Sequence, residues 1–113
     1  MNSNVKRYGA ATILVAGLTL LGGCGGGKDA ELLAQGQQIY DGTCKVCHAQ
    51  GLNGAPILAN RKMWASRSTQ GEDMLVTHAM EGFGLMPAKG GNDKLTEPEI
   101  RAAVKFMLSK LEP

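Results

Sequence analysis

Apolar positions recur at helical spacing in two long stretches of the chain, and no stretch of useful length alternates with period two. Across residues 30–41, Leu32, Leu33, Gly36, Ile39 and Tyr40 fall on one stripe, which predicts an amphipathic helix. Gly36 within that stripe predicts a point where a second backbone approaches closely, because it carries no Cβ. Near the other end, Ile100, Val104, Met107, Leu108 and Leu111 repeat at the same spacing, and Thr96-Glu97-Pro98-Glu99 precedes them. That tetrapeptide is a helix start: Thr96 as N-cap, Pro98 in the first turn and Glu99 completing a capping box. Between these stretches, Thr69-Gln70-Gly71-Glu72 opens a helix expected to run through Met80 and stop at Gly82, while Met63 and Trp64 lie in a further helical segment. The pattern predicts an all-α fold.

The N-terminal segment follows a different rule. Lys6 and Arg7 provide a positive start, residues 10–21 form an uncharged apolar run, and small residues follow, which is the layout of an export signal. The run falls short of the ~20 apolar residues a bilayer-spanning helix needs. Its end, LGGC, resembles the lipobox of bacterial lipoproteins, in which cleavage precedes the cysteine and that cysteine is lipidated. The organisation expected is a lipoprotein-type signal peptide over residues 1–23, a lipidated Gly-rich tether over 24–29 beginning at Cys24, and one domain over 30–113. A plain secretory signal cut nearby, or an uncleaved anchor, are the other readings of the same residues.

Removing the signal changes the charge. The whole chain has 12 Lys+Arg against 10 Asp+Glu, but Lys6 and Arg7 belong to the signal, so the remainder is balanced. The basicity is therefore a targeting feature and argues for neither nucleic acid nor an anionic membrane surface as partner. With 113 residues the chain has room for one domain, and one Trp, two Tyr and two Phe against 16 Gly is little bulky side chain for its core. A bound group is a natural filler.

The stretch Cys44-Lys45-Val46-Cys47-His48 carries the chemistry. Exported thiol pairs are normally oxidised unless something consumes them. A zinc site needs two more Cys or His ligands at suitable spacing, and beyond the pair the chain offers only His48, adjacent to it, and the distant His78. A thioredoxin-like pair needs a preceding strand, whereas a helical pattern leads into Cys44. With His directly after the second cysteine, C-x-x-C-H is the c-type haem attachment signature: two thiols for the vinyl groups and an imidazole for the iron.

A second iron ligand is expected downstream, and haem held by His and Met is the electron-transfer arrangement. Met63, Met74, Met80 and Met107 sit in helical patterns where methionine is ordinary core filler. Met86 lies instead in EGFGLMPAKGGN, a Gly-rich loop stiffened by Pro87, and is the preferred distal ligand. His78 would give a bis-His haem, but it falls on the helical stripe of Met74, Leu75 and Gly82 and reads as a structural residue.

Residues 31–109 as a whole resemble a class I c-type cytochrome, closest to the small monohaem cytochrome c(5) family. The matching pieces are Gly36 and Tyr40 in their helix, CKVCH, Gly54-Ala55-Pro56, Trp64, HAMEG at His78–Gly82 and GLMPAKGG from Gly84 to Gly91. The resemblance implies a fold of about four helices round one covalent haem c, with thioethers at Cys44 and Cys47, His48 as proximal and Met86 as distal ligand. It further implies that the Pro56 carbonyl accepts the hydrogen bond of the other His48 nitrogen, that Trp64 and Arg67 lie near the haem propionates, and that the Gly36 helix crosses the C-terminal one. Many family members carry a cysteine pair just after KGG; Asn92 and Leu95 stand there instead, so the loop lacks that disulfide.

The function implied is electron transfer between respiratory redox partners such as an oxidase or reductase, in the periplasm and held at the membrane through lipid on Cys24. Six-coordinate iron leaves no position for substrate, so an electron carrier rather than an enzyme is expected. A haem peroxidase or gas-binding protein with a displaceable Met86, and a subunit docked permanently in a respiratory complex, are the alternatives.

Overall fold

A computed structural model describes residues 25–113, so the signal-type segment and Cys24 lie outside the described residues. Five α-helices follow in order: α1 (Gly26–Ile39), α2 (Lys45–His48), α3 (Arg61–Ser68), α4 (Glu72–Glu81) and α5 (Glu97–Ser109). Tyr40–Cys44 forms a wide π-turn joining α1 to α2, and two 3₁₀ turns, Leu52–Gly54 and Ala88–Gly91, lie in the connections. Among the described residues the only extended pairing is one isolated antiparallel bridge between Phe83 and Met86. The all-α expectation holds, with α2 a single turn beside four longer helices.

Helix α1 begins at Gly26, ahead of the predicted start at residue 30, so the first turn passes through glycines read from sequence as tether. Its predicted stripe is the inward one: Gly36 and Tyr40 are buried and Leu32, Leu33 and Ile39 half-buried. Gly36 makes the crossing with α5 possible. A Cβ there would run into the Ala102 carbonyl and come within 2.9 Å of the Phe106 Cβ. The two helices approach backbone to backbone at that point, and Tyr40 and Phe106 pack beside it with ring centroids 5.5 Å apart.

Helix α5 begins as its sequence predicts. Thr96 is the N-cap, Pro98 lies in the first turn, and the Glu99 carboxylate accepts both the Thr96 N–H at 2.8 Å and its hydroxyl at 2.7 Å. These two bonds hold the Glu99 carboxyl below the usual carboxylate range. The helix buries more than its stripe suggested, adding Ala102, Ala103 and Phe106 to Ile100 and Met107.

The start of α4 differs from expectation. Thr69 caps the C-terminal end of α3, its hydroxyl donating to the Ser66 carbonyl at 2.9 Å, and Gly71 at φ 88° is the N-cap of α4. The Thr-x-x-Glu pattern was read one element too late because that hydroxyl points back along the chain. Arg101 of α5 reaches across to Glu72 and Asp73 of α4 and along its own helix to Glu97, while Lys105 meets Glu72, which ties the two helices at the surface.

Two small cores result. Tyr40, Trp64, Phe106 and Met107 form one, with Leu33, Cys44, Leu58 and Leu111 against it. Val76, Leu95 and Ile100 form the other, with Ile39, Ala79, Met80 and Val104. Leu95, at one of the two positions where many relatives of the resembled family carry cysteine, is thus a core residue. Asn92, at the other, donates from its amide to the Thr43 hydroxyl at 3.3 Å, and its carbonyl accepts the Leu95 N–H at 3.2 Å. Packing and hydrogen bonds anchor the loop where a disulfide was missed.

Candidate functional site

A cavity of about 280 Å³ opens between α2, α4, α5 and the loops around Pro56 and Met86. Cys47, His48, Pro56, Trp64 and Met86 line it, and so do His78, Leu75, Ala79, Val104, Met107 and Leu108. Its wall is largely apolar, with the polar groups Arg67, Gln70 and Asn53 among the few exceptions. Leu52, Phe83 and Leu85 belong to the wall and are also exposed, at 52%, 60% and 76%, so the mouth has an apolar rim.

Local helical structure explains the spacing of the CKVCH stretch. The π-turn runs directly into α2, and positions i, i+3 and i+4 of a helix share one face, so Cys44, Cys47 and His48 lie on a common side. Cys47 reaches the cavity, while Cys44 packs against the core of Tyr40, Trp64, Phe106 and Met107. Burial pushes the Cys44 thiol, before any attachment, up to about 11. Neither cysteine is in a disulfide. Among the described residues no group of three or more His, Cys, Asp or Glu is gathered as a metal site.

His48 is buried and its ring is fixed from behind. Its Nδ1 lies 2.8 Å from the Pro56 carbonyl oxygen, and since a carbonyl only accepts, Nδ1 carries a proton and Nε2 is the ring nitrogen left for a ligand role. The next carbonyl along, Ile57, accepts the Trp64 indole N–H at 2.8 Å, and the Leu58 N–H donates to the His48 carbonyl at 2.8 Å. Trp64 and His48 therefore bind consecutive carbonyls of one short segment, with ring planes 27° apart and centroids 6.1 Å apart. The indole nitrogen is committed to Ile57, so Trp64 acts here as a brace for the His48 segment; Arg67 lines the cavity while donating to the Met63 carbonyl within α3. Ile57 was invisible to sequence reasoning, because it contributes only a backbone oxygen.

Met86 sits in a tight reversal. Phe83 and Met86 exchange both backbone bonds, N–H to O at 3.0 and 2.9 Å, and Gly84 at φ 58° makes the turn between them. Gly82, at φ 88°, is equally constrained: a Cβ on it would lie 3.0 Å from the Met86 oxygen and from the Ala88 nitrogen. The loop read from its glycines is thus a pinned hairpin. Of the other methionines, Met107 is buried and Met63 and Met80 are half-buried, but Met74 is 47% exposed and is not the core filler its pattern suggested. His78 lines the same cavity, its ring stacked on Phe83 at 4.2 Å between centroids and 25° between planes.

These residues fit a haem by their chemistry: two thiols and an imidazole within five consecutive residues, a thioether on a pinned turn, and an apolar wall between them. Comparison with known proteins agrees. The family model described as "Cytochrome C oxidase, cbb3-type, subunit III" matches residues 31–107. Cytochrome c-555 of Chlorobaculum tepidum is 37% identical over 110 residues, covering 94% of this chain and 98% of that protein. Cytochrome c5 of Ectopseudomonas mendocina is 32% identical over 66 residues, covering 57% and 76%. A solved structure, "Crystal structure of electron transfer complex of nitrite reductase with cytochrome c", aligns with a TM-score of 0.66 and 37% identity over 69% of this chain and 95% of that one. The chain belongs to the class I monohaem c-type cytochromes related to cytochrome c5, carries one covalently attached haem c, and is an electron carrier rather than an enzyme.

Proposed function

We propose that the haem is joined through thioethers to Cys44 and Cys47 and that its iron is held by His48 Nε2 and Met86 Sδ. The hydrogen bond from His48 Nδ1 to the Pro56 carbonyl carries this reading, because it fixes the tautomer that presents Nε2 as a ligand in a cavity that Met86 also lines. The haem supplies the one-electron couple. Pro56 orients the imidazole and raises its basicity, the thioether favours the reduced state, and the apolar wall keeps water from the iron. Held by His48 and Met86, the iron would have no position left for a substrate, which favours electron transfer over the peroxidase and gas-binding readings.

The apolar rim of Leu52, Phe83 and Leu85 is the natural meeting point for a partner. The aligned solved structure is a cytochrome c in an electron transfer complex with nitrite reductase, which supports a reductase or oxidase as the class of partner here. Such redox encounters are small and short-lived, below about 1,200 Å². Related c-type cytochromes are typically periplasmic or extracellular, in keeping with the export signal over residues 1–23. Lipid on Cys24 would hold the domain at the membrane; Cys24→Ser should leave the protein unprocessed or free in the exported compartment, and unchanged fractionation would count against the anchor.

The ligand assignment is tested by spectroscopy of the oxidised holoprotein. Wild type should show the weak long-wavelength charge-transfer band of iron-bound thioether, and Met86→Ala should abolish it, lower the potential and open the iron to cyanide. Met63→Leu, Met74→Leu, Met80→Leu and Met107→Leu should keep the band, as volume-conserving changes that cost under about 1.5 kcal/mol each. A band that survives Met86→Ala removes Met86 from the site.

A further inference from the structure

We propose that His78 is a positioning residue for the thioether: through its stack on Phe83 it holds the Met86 turn in place over the cavity. This rests on Met86 as the distal ligand. Two features join the turn to the end of α4. One is Gly82, whose left-handed backbone ends α4 and reverses the chain; the other is the Phe83 ring, which that reversal brings back onto His78 of the last helical turns. A 4.2 Å centroid separation at 25° is a close stack of the two rings. Phe83 is otherwise 60% exposed, so the imidazole is the firm surface it rests on.

Phe83 also transmits that position. Its N–H and C=O are both bonded to Met86, at 3.0 and 2.9 Å, so the two residues move as one rigid pair. A shift of the Phe83 backbone, which the ring stack resists, therefore carries the Met86 backbone with it. His78 is itself anchored, because its neighbours Ala79 and Met80 pack into the core of Val76, Leu95 and Ile100. The line of contacts runs from that core through α4, the His78 ring and the Phe83 ring to the methionine. It gives a reason for an aromatic-shaped heterocycle at position 78 that is independent of iron ligation, and for a large aromatic residue left exposed at position 83.

The test uses the full-length ferric holoprotein and reads cyanide affinity, since external cyanide binds only as the methionine leaves. His78→Ala and Phe83→Leu should each raise cyanide affinity roughly three- to tenfold, the size of an aromatic pair's contribution, and lower the midpoint at which heating removes the thioether band. The double variant should raise cyanide affinity about as much as the stronger single variant does, clearly less than the product of the two. His78→Phe, which keeps a flat ring, should restore wild-type affinity. The unfolding midpoint of the helices, followed by circular dichroism, separates this from general destabilisation, which would move that midpoint and leave cyanide affinity under native conditions alone. Met86→Ala is run alongside. If it loses the band while His78→Ala matches wild type in cyanide affinity, or if His78→Phe behaves like His78→Ala, the positioning role is overturned and the ligand assignment stands. A band that survives Met86→Ala overturns both.

Discussion

Replacing Gly36 with alanine sets two effects of opposite sign against each other. Within a helix, Gly→Ala is favourable by about 0.8–1.0 kcal/mol, from reduced backbone freedom in the unfolded chain and better helix propensity. At position 36 the new methyl has no space. It would run into the Ala102 carbonyl and lie 2.9 Å from the Phe106 Cβ, closer than carbon atoms settle. Neither obstacle is the free end of a flexible side chain: one is the backbone of a fully buried residue and the other is the root of a buried ring. The helices must therefore separate, which loosens the Tyr40–Phe106 contact beside the crossing. Overpacking of this kind costs about 1–3 kcal/mol, and a rigid obstacle places it near the top of that range. After the propensity gain, the net loss is about 1–2 kcal/mol.

For a domain of this size each kcal/mol moves the melting point by about 4–8 °C, so Gly36→Ala should lower it by roughly 5–15 °C. The measurement is reversible unfolding of the holoprotein by guanidinium and by heat, followed by far-ultraviolet circular dichroism. The control is Gly27→Ala in the same helix, where an added Cβ meets nothing within 4 Å. It should be neutral or stabilise by up to about 1 kcal/mol. If Gly36→Ala unfolds at or above the wild-type midpoint, the close crossing of α1 and α5 is wrong, whatever Gly27→Ala does.

Three further outcomes follow from the site and its supports. Trp64→Phe keeps a ring but removes the donor to the Ile57 carbonyl; it should cost about 1–3 kcal/mol in unfolding free energy, as a lost bond to a part-buried acceptor does, and an unchanged midpoint would deny Trp64 its bracing role. Haem should stay with the protein when the unfolded chain is extracted with acidified organic solvent, and Cys44→Ala or Cys47→Ala should leave little stable holoprotein; haem that extracts freely from wild type contradicts thioether attachment. The Glu99 carboxyl is held below its usual range by the Thr96 N–H and hydroxyl, so its contribution is present above the unfolded value near 4.3 and lost as pH falls through the lower folded value. The difference in unfolding midpoint between wild type and Glu99→Ala should accordingly be steady from pH 5 to 8 and shrink below pH 4, and a difference that grows in acid would reverse the sign assigned to the bond.

What the sequence made legible was whatever acts through its own neighbours along the chain. CKVCH reads directly, because helical spacing alone brings two thiols and an imidazole to one face. The α5 start reads directly for the same reason: Thr96, Pro98 and Glu99 complete one another within a single turn. Legibility fell off where a backbone atom does the work. Pro56 and Ile57 hold His48 and Trp64 by their carbonyl oxygens, which every residue has, so Pro56 was named through family resemblance and Ile57 not at all. Met86 was legible as a methionine among glycines and a proline, but its double bond to Phe83 was not, since pairing across Gly84 and Leu85 depends on a turn geometry the letters only permit.

Helix α4 shows a further reason. Its helical pattern predicts Met74 and Met80 as core filler, yet Met74 is largely exposed while Val76 is buried. Residues two apart on a helix lie about 200° apart, so 74 and 76 cannot share a face, and the structure chooses Val76. The helix turns a second side, Leu75, His78 and Ala79, toward the cavity. Apolar residues on such a helix answer to two neighbours, the protein core and the cavity, and a single period fitted through both blurs them into one weak stripe. Where a small domain is short of bulky side chains, as this one is, apolar positions that fit no single core stripe are therefore the place to look for the wall of a bound group.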